Sequence, residues 1–165
     1  MSLDKQITAL KEINKQIRKL KSKEPIIVGK FALTVYTQGM YPANIISLLH
    51  PDIHLLQQAL RELGYTQFGD LWLKDDINVE ISKDFELITG NFNQIQIEDE
   101  IINVLSLEDL IADMMKYCLE GDDLVCDLIK MLIKSYEKFI DFHYLYGRLK
   151  DKRAVSFIKN IKRGG

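Results

Sequence analysis

The stretch Ile26–Leu49, "IIVGKFALTVYTQGMYPANIISLL", decides how the rest of the chain is read. Three apolar residues, Ile26, Ile27 and Val28, lie between Pro25 and Gly29, which is the punctuation of a short buried strand. Residues 30–38 fit a helix, with Gly39 as its C-terminal stop. Pro42 marks a turn, and the apolar run Ile45–Leu49 reads as a second strand. The unit is therefore strand, glycine, helix, turn, strand.

Outward from this unit, two helical patterns flank it. Ile7, Leu10, Ile13, Ile17 and Leu20 recur at helical spacing, so residues 4–22 are expected as an amphipathic helix. Leu55, Leu56, Ala59, Leu60 and Leu63 do the same over residues 51–63, starting at Pro51 and stopping at Gly64. The period then switches to two. Tyr65–Phe68 and Leu71–Leu73 are strand-like, Asp75-Asp76 makes a turn, and Ile77, Val79 and Ile81 alternate with polar residues. Phe85–Ile88, Phe92–Ile97 and Asn103–Leu105 are expected to continue the β-rich region.

From Ser106 onward the pattern is helical. Ser106 and Asp109 resemble a capping box, with Asp in place of the usual Glu. Leu107, Leu110, Ile111, Met114, Met115 and Cys118 form the first buried stripe. Gly121 breaks that helix, and Asp122 caps the next, with Leu124, Val125, Leu128, Ile129, Leu132 and Ile133 as its stripe. A last segment, Phe142–Ile161, is interrupted near Asp151. The expected fold is α+β: a small mixed sheet flanked by helices, with a C-terminal helical tail.

At 165 residues and 47% hydrophobic, the chain suits a compact domain with a full core. No apolar run approaches a bilayer span, and the N-terminus carries no stretch like a signal peptide. Cys118 and Cys126 are eight apart without a nearby histidine. They are expected as buried free thiols, rather than a disulfide or a metal site, in a reducing cytoplasm. The net charge of −2 is unevenly spread. Residues 1–30 carry +5, residues 31–129 carry −14 and residues 130–165 carry +7. Such charges ordinarily lie on solvated helix faces. The sharper alternative is a basic surface made by residues 4–22 and 142–161 together, able to take nucleic acid.

Several segments together carry a family resemblance: "IIVGKFALTVYTQGMY", the helix ending in "LRELGY", the strand "INVEIS" and the later "VLSLEDLIADMM". In this order and spacing the chain resembles the nucleotidyltransferase fold of the polymerase-beta type. It is most similar to small prokaryotic members related to the nucleotidyltransferase-like proteins of toxin–antitoxin and abortive-infection systems. The resemblance covers about residues 25–145. It implies three regions: an N-terminal helix over 1–24, a nucleotidyltransferase-like core over 25–105, and a helical region over 106–165 expected to pack on that core.

In that family a Gly-Gly or Gly-Ser turn opens a helix whose backbone N–H groups approach phosphates. The next strand bears Asp-x-Asp, and a further strand supplies a third carboxylate. Side chains two apart on a strand share a face, so the acids converge on one or two Mg²⁺ ions. The metals bridge the phosphates and activate the attacking hydroxyl. The resemblance maps Gly29 onto the first turn position and Lys30 onto the second. It maps Ile45 and Ser47 onto the two aspartates, and Glu80 onto the third acid. A one-residue slip would bring Asn44 and Ile46 to the aspartate positions, again without a carboxylate. One acid does not make the metal set, so the resemblance implies a degenerate site: no catalytic residue, no metal ligand set and no cofactor.

Gly29, Lys30 and Ser47 remain candidates for holding a nucleotide. Lys30 meets phosphate at the helix N-terminus in one reading and is an exposed lysine in the other. Glu80 is either a remnant ligand or a polar residue on the outer face of a strand. An active alternative would use Mg²⁺ with other carboxylates, Asp70, Asp75, Asp76 or Asp84. A third possibility is an antitoxin-like interaction protein in which the fold is only scaffold. His50 and His54 have the spacing of helical metal ligands, but His50 precedes Pro51 and falls before the helix. The acidic runs at Glu98–Glu100 and Asp122–Asp123 fit turns and caps. Phe142, Tyr144 and Tyr146, beside His143 and Arg148, either stack on bases or pack the terminal helices.

Overall fold

Helix α1 (Leu3–Lys19) buries Ile7, Leu10, Ile13 and Ile17 along one stripe, as their spacing dictates. It stops earlier than residue 22 because Lys21 takes a left-handed φ of 61°, which an α-helix cannot continue. The computed structural model describes residues 3–164 of the chain. Its compact units are two: one runs up to Leu105, and the other starts at Ser106.

The first unit is built on a seven-stranded mixed sheet in the order β3-β4-β5-β2-β1-β7-β6. Strand β1 (Ile26–Val28) runs antiparallel to β2 (Ile46–Leu49) and parallel to β7 (Glu100–Leu105). Strand β2 in turn runs parallel to β5 (Ile77–Ile81). Strands β5, β2 and β1 are thus adjacent. Helix α2 (Gly29–Tyr36) lies against β1, β2 and β7. Helix α3 (Ile53–Glu62) packs beside α1, and Asp52 caps it by accepting from Leu55 N–H at 3.1 Å. That cap puts the start of the helix two residues after Pro51.

Hairpins finish both sides of the sheet. β3 (Thr66–Phe68), β4 (Leu71–Lys74) and β5 form an antiparallel meander, and β6 (Phe92–Ile97) pairs with β7. The segment Phe85–Ile88 is not a strand. Phe85–Leu87 is a 3-10 turn in which Leu87 N–H donates to Asp84 C=O and Ile88 N–H to Phe85 C=O. Its alternation of apolar residues served a local turn with one buried side chain, Leu87, and no pairing partner.

Ion pairs tie α1 across this sheet. Lys5 meets Asp76 in the β4–β5 turn at 3.1 Å, Lys11 meets Asp99 in the β6–β7 turn at 2.9 Å, and Arg18 meets Glu100 at 2.8 Å. These contacts hold the Asp76 and Asp99 carboxyls below the usual carboxylate range, through the hydrogen bonds from Lys5 and Lys11. Part of the N-terminal positive charge is thereby matched by the acidic middle of the chain.

The second unit contains α4 (Leu107–Leu119), α5 (Asp123–Tyr136), α6 (Phe142–Arg148) and α7 (Lys152–Lys162). A side chain caps each N-terminus: Ser106, Asp122, Asp141 and Asp151 accept from backbone N–H groups at 3.1, 3.2, 3.1 and 2.8 Å. Within α4, the Asp109 side chain is fully buried. It accepts from Ser106 Oγ–H at 2.9 Å and Tyr144 O–H at 2.9 Å, and Arg148 Nε lies 3.0 Å from its Oδ1.

The expectation of free thiols is overturned. Cys118 and Cys126 form a disulfide, and no free cysteine remains. The chain reverses at Gly121, whose φ of +106° suits glycine, so α4 and α5 run back to back. Two residues eight apart in sequence come to a Cα–Cα distance of 4.8 Å. The break at Gly121 was legible in the sequence, but the direction in which the chain leaves it, and so the approach of the two cysteines, was not. No described helix is long and apolar enough to cross a membrane.

Candidate functional site

The site is assembled where β1 ends. Val28 has extended backbone, Gly29 takes φ +66°, and α2 begins at once, without a side-chain cap. A Cβ on Gly29 would stand 3.5 Å from Cβ and Oγ of Ser47, an ordinary contact distance. The left-handed φ, rather than crowding, is what calls for glycine. The first turn of α2 therefore opens beside the Ser47 side chain. Lys30, in that first turn, is exposed.

Register places the other candidates. Ser47 is the partner of Val28 on one side and of Glu80 on the other. Residues directly opposite in neighbouring strands project to the same face, so Ser47 and Glu80 stand side by side. Ile46 and Leu48 are buried and Ser47 is half-buried, the alternation expected of β2. Ile45 falls in the bend just before the strand and is half-buried. Asn44 is exposed, and its carbonyl accepts from Asn78 Nδ2 at 3.4 Å. Gly29, Ser47 and Glu80 are thus brought together, with Lys30 at the rim and Ile45 at the strand's entry. Of these five residues only Glu80 carries a carboxylate.

The alternative acids are dispersed. Asp75, with φ 53°, and Asp76 occupy the β4–β5 turn, and Asp76 is engaged with Lys5. Asp84 sits ahead of the 3-10 turn, its N–H bonded to Ser82 Oγ at 3.2 Å. Asp70 differs. It and Glu80 line one groove of about 380 Å³, together with Gln57, Gln67, Trp72 and Lys83. Sequence patterning gave no reason to bring those amides and Lys83 to Glu80, because the groove depends on how the β3–β4 turn meets the start of α3. Among the described residues, no group of three or more His, Cys, Asp and Glu side chains is arranged to hold a metal ion.

The histidines have other work. His50 is buried; its Nδ1 accepts from Asp52 N–H at 2.9 Å, and its Nε2 lies 3.0 Å from Lys23 C=O and 3.2 Å from Ser22 Oγ. It ties the end of β2 to the loop before β1. His54 is exposed on α3. Glu98 and Glu100 belong to the pairing with α1, and Asp122 is a cap.

No family model matches the chain, and no curated protein matches it by sequence. Solved structures do. The crystal structure of ANT(2″)-Ia in complex with adenylyl-2″-tobramycin superposes with a TM-score of 0.64 at 14% identity, covering 94% of this chain and 98% of that one. The solution structure of the antibiotic-resistance factor ANT(2″)-Ia superposes with a TM-score of 0.53 at 16% identity, covering 82% and 92%. At such identities the likeness is one of fold. The fold is nucleotidyltransferase-like.

Proposed function

We propose that this chain is a catalytically degenerate nucleotidyltransferase-like protein that uses the site beside Gly29 to bind a nucleotide or a protein partner without turnover. One observation carries the proposal. The positions brought together beside the α2 N-terminus, Ser47 and Glu80, offer one hydroxyl and one carboxylate, and Ile45 at the entry offers no oxygen at all. Mg²⁺ is bound through carboxylates and gives up its water reluctantly, so this donor set does not fit it. Without such an ion a transfer reaction lacks both hydroxyl activation and phosphate charge neutralisation, together worth several kcal/mol of barrier.

What the site retains suits binding. The N–H groups opening α2 carry the positive end of a helix and no side chain caps them, an arrangement that favours an anion. Lys30 adds a cation there. The adenylyl group bound in the crystal structure of the neighbouring fold supports a nucleotide as the ligand. The resemblance to toxin–antitoxin and abortive-infection proteins supports the partner-binding form.

A second reading has one observation in its favour: Asp70 and Glu80 line the same groove. In that reading the two acids, with Mg²⁺, serve an active nucleotidyltransferase. One experiment addresses both. The purified chain is incubated with labelled nucleoside triphosphates, Mg²⁺ or Mn²⁺, and protein and RNA acceptors. Saturable binding without transfer, weakened several-fold in Lys30→Ala, is the expected result. Metal-dependent transfer that disappears in Glu80→Gln or Asp70→Asn overturns the degenerate reading.

A further inference from the structure

The C-terminal helices carry a charge pattern unlike that of α1. Between Phe142 and Gly165 the sequence holds seven Lys/Arg residues and one acid, Asp151. That acid is already engaged: it caps α7 and meets Arg153 Nη2 at 2.7 Å. Its carboxyl is held below the usual range by the Arg153 side chain. No acid in this stretch is left to match the cations at the far end of α7.

Those cations are set over aromatic rings. Lys162 Nζ lies 3.9 Å from the centroid of Phe142, and Lys159 Nζ lies 5.6 Å from that of Tyr146. The two rings are neighbours on α6, 6.2 Å apart. Arg163, the C-cap residue of α7 and one turn beyond Lys159, is exposed. Three cations and two half-exposed rings therefore share one face of α6 and α7. Lys159 and Lys162 are three apart, and Lys159 and Arg163 four apart, so they stack at about one helical turn, 5.4 Å. Each ring faces a cation, which limits the side-chain freedom that a bound anion would otherwise have to remove.

We propose that this face, centred on Phe142, Tyr146, Lys159, Lys162 and Arg163, binds single-stranded nucleic acid. The repeated cations match a chain of phosphates, and the rings beneath them match unpaired bases, whose π faces stack on aromatic side chains. An anionic membrane is the less suitable occupant. The apolar stripe of α7, Ala154, Ile158 and Ile161, is buried within the helical unit, so the helix has no apolar face left to insert. The proposal rests on α6 and α7 alone. It requires neither the N-terminal basic segment nor the nucleotide reading of the site beside Gly29.

The test is fluorescence anisotropy of the full chain against a labelled mixed-sequence single-stranded RNA or DNA 20-mer, over a series of salt concentrations. Binding at low salt should fall at least tenfold in the variant Lys159→Ala/Lys162→Ala/Arg163→Ala, with circular dichroism confirming that the helices remain. Loss of three phosphate contacts should flatten the log–log salt slope by about 2. Phe142→Leu/Tyr146→Leu keeps the cations and should weaken binding several-fold with the slope unchanged, which a purely electrostatic contact would not show. The control is Lys15→Ala/Lys19→Ala on α1, expected to bind as the parent does. Four results would overturn the proposal: no binding at low salt, equal losses from the α1 control, duplex bound as tightly as single strand, or equal binding to phosphatidylserine vesicles lost in the same triple variant.

Discussion

The ion pairs that tie down α1 in the α/β unit and the one at the centre of the helical unit lie at opposite depths. In the α/β unit, Lys5–Asp76, Lys11–Asp99 and Arg18–Glu100 lie at the surface, between α1 and the turns of two hairpins. In the helical unit one carboxylate, Asp109, has 0% side-chain exposure and gathers Ser106, Tyr144 and Arg148 around it. Number and energy then part company. Exposed pairs are screened by water and salt and are worth little each, whereas a buried acid stripped of its partners, or partners stripped of their acid, is costly. The difference also separates the basic segments. Lys5, Lys11 and Arg18 of α1 are matched by acids of their own unit, and Lys159 and Lys162 of α7 are set on rings.

The largest expected effect breaks the buried side of this comparison. Asp109→Ala leaves the Tyr144 hydroxyl and the Arg148 guanidinium without their shared acceptor, and should cost about 3 kcal/mol or more in denaturant unfolding. Asp109→Asn, which keeps one acceptor oxygen, should cost less. If both variants unfold like the parent, the buried cluster is not what holds α4 to α6.

Next in size is the covalent tie of the same unit. Cys118 and Cys126 close a short loop across the Gly121 turn, which the chain-entropy account values at about 2.5 kcal/mol. A reducing agent should lower the unfolding midpoint seen by far-UV circular dichroism, and Cys118→Ser/Cys126→Ser should be insensitive to it. Free-thiol titration of the unreduced protein should find none.

Acid should have the smallest effect, on the exposed side. Asp76 and Asp99 have folded carboxyls held below their unfolded value by Lys5 and Lys11. A depressed carboxyl contributes stability that is present above the ordinary carboxylate range and is lost as pH falls below about 4. Both groups are exposed, so the contribution is small and salt should erase much of it. Asp76→Asn should remove its share of the acid sensitivity, measured as the change of unfolding midpoint with pH. An acid response that persists in that variant at high salt would locate the titrating groups elsewhere.

Much of this was legible in the sequence, for stated physical reasons. Pro25, Gly29 and the apolar triplet between them gave β1, and alternation at Ile77, Val79 and Ile81 gave β5. Caps at Ser106 and Asp122 were readable because a cap is a contact over three residues. Long-range features were not. The disulfide depends on a chain reversal, the pairing of Lys11 with Asp99 joins distant segments, and Tyr144 reaches Asp109 only once α6 packs on α4. At the candidate site, Ser47 beside Glu80 followed from strand order and register. The groove of Gln57, Gln67 and Asp70 had no periodic signature at all.

The parallel pairing of β1 with β7 sets a timetable for synthesis. Ile26 lies beside Asn103, so a strand made early waits for one made much later. Pairings this distant in sequence are slow to close, since the intervening chain must first be ordered. At about 5–20 residues per second, the ribosome takes roughly 4 to 15 seconds to cover that interval. Until β7 emerges, one edge of β1, next to the otherwise buried Ile27 and Val28, has no neighbour. The nascent chain is then an open β-edge, and that interval is when it is most exposed to aggregation or to capture by a chaperone.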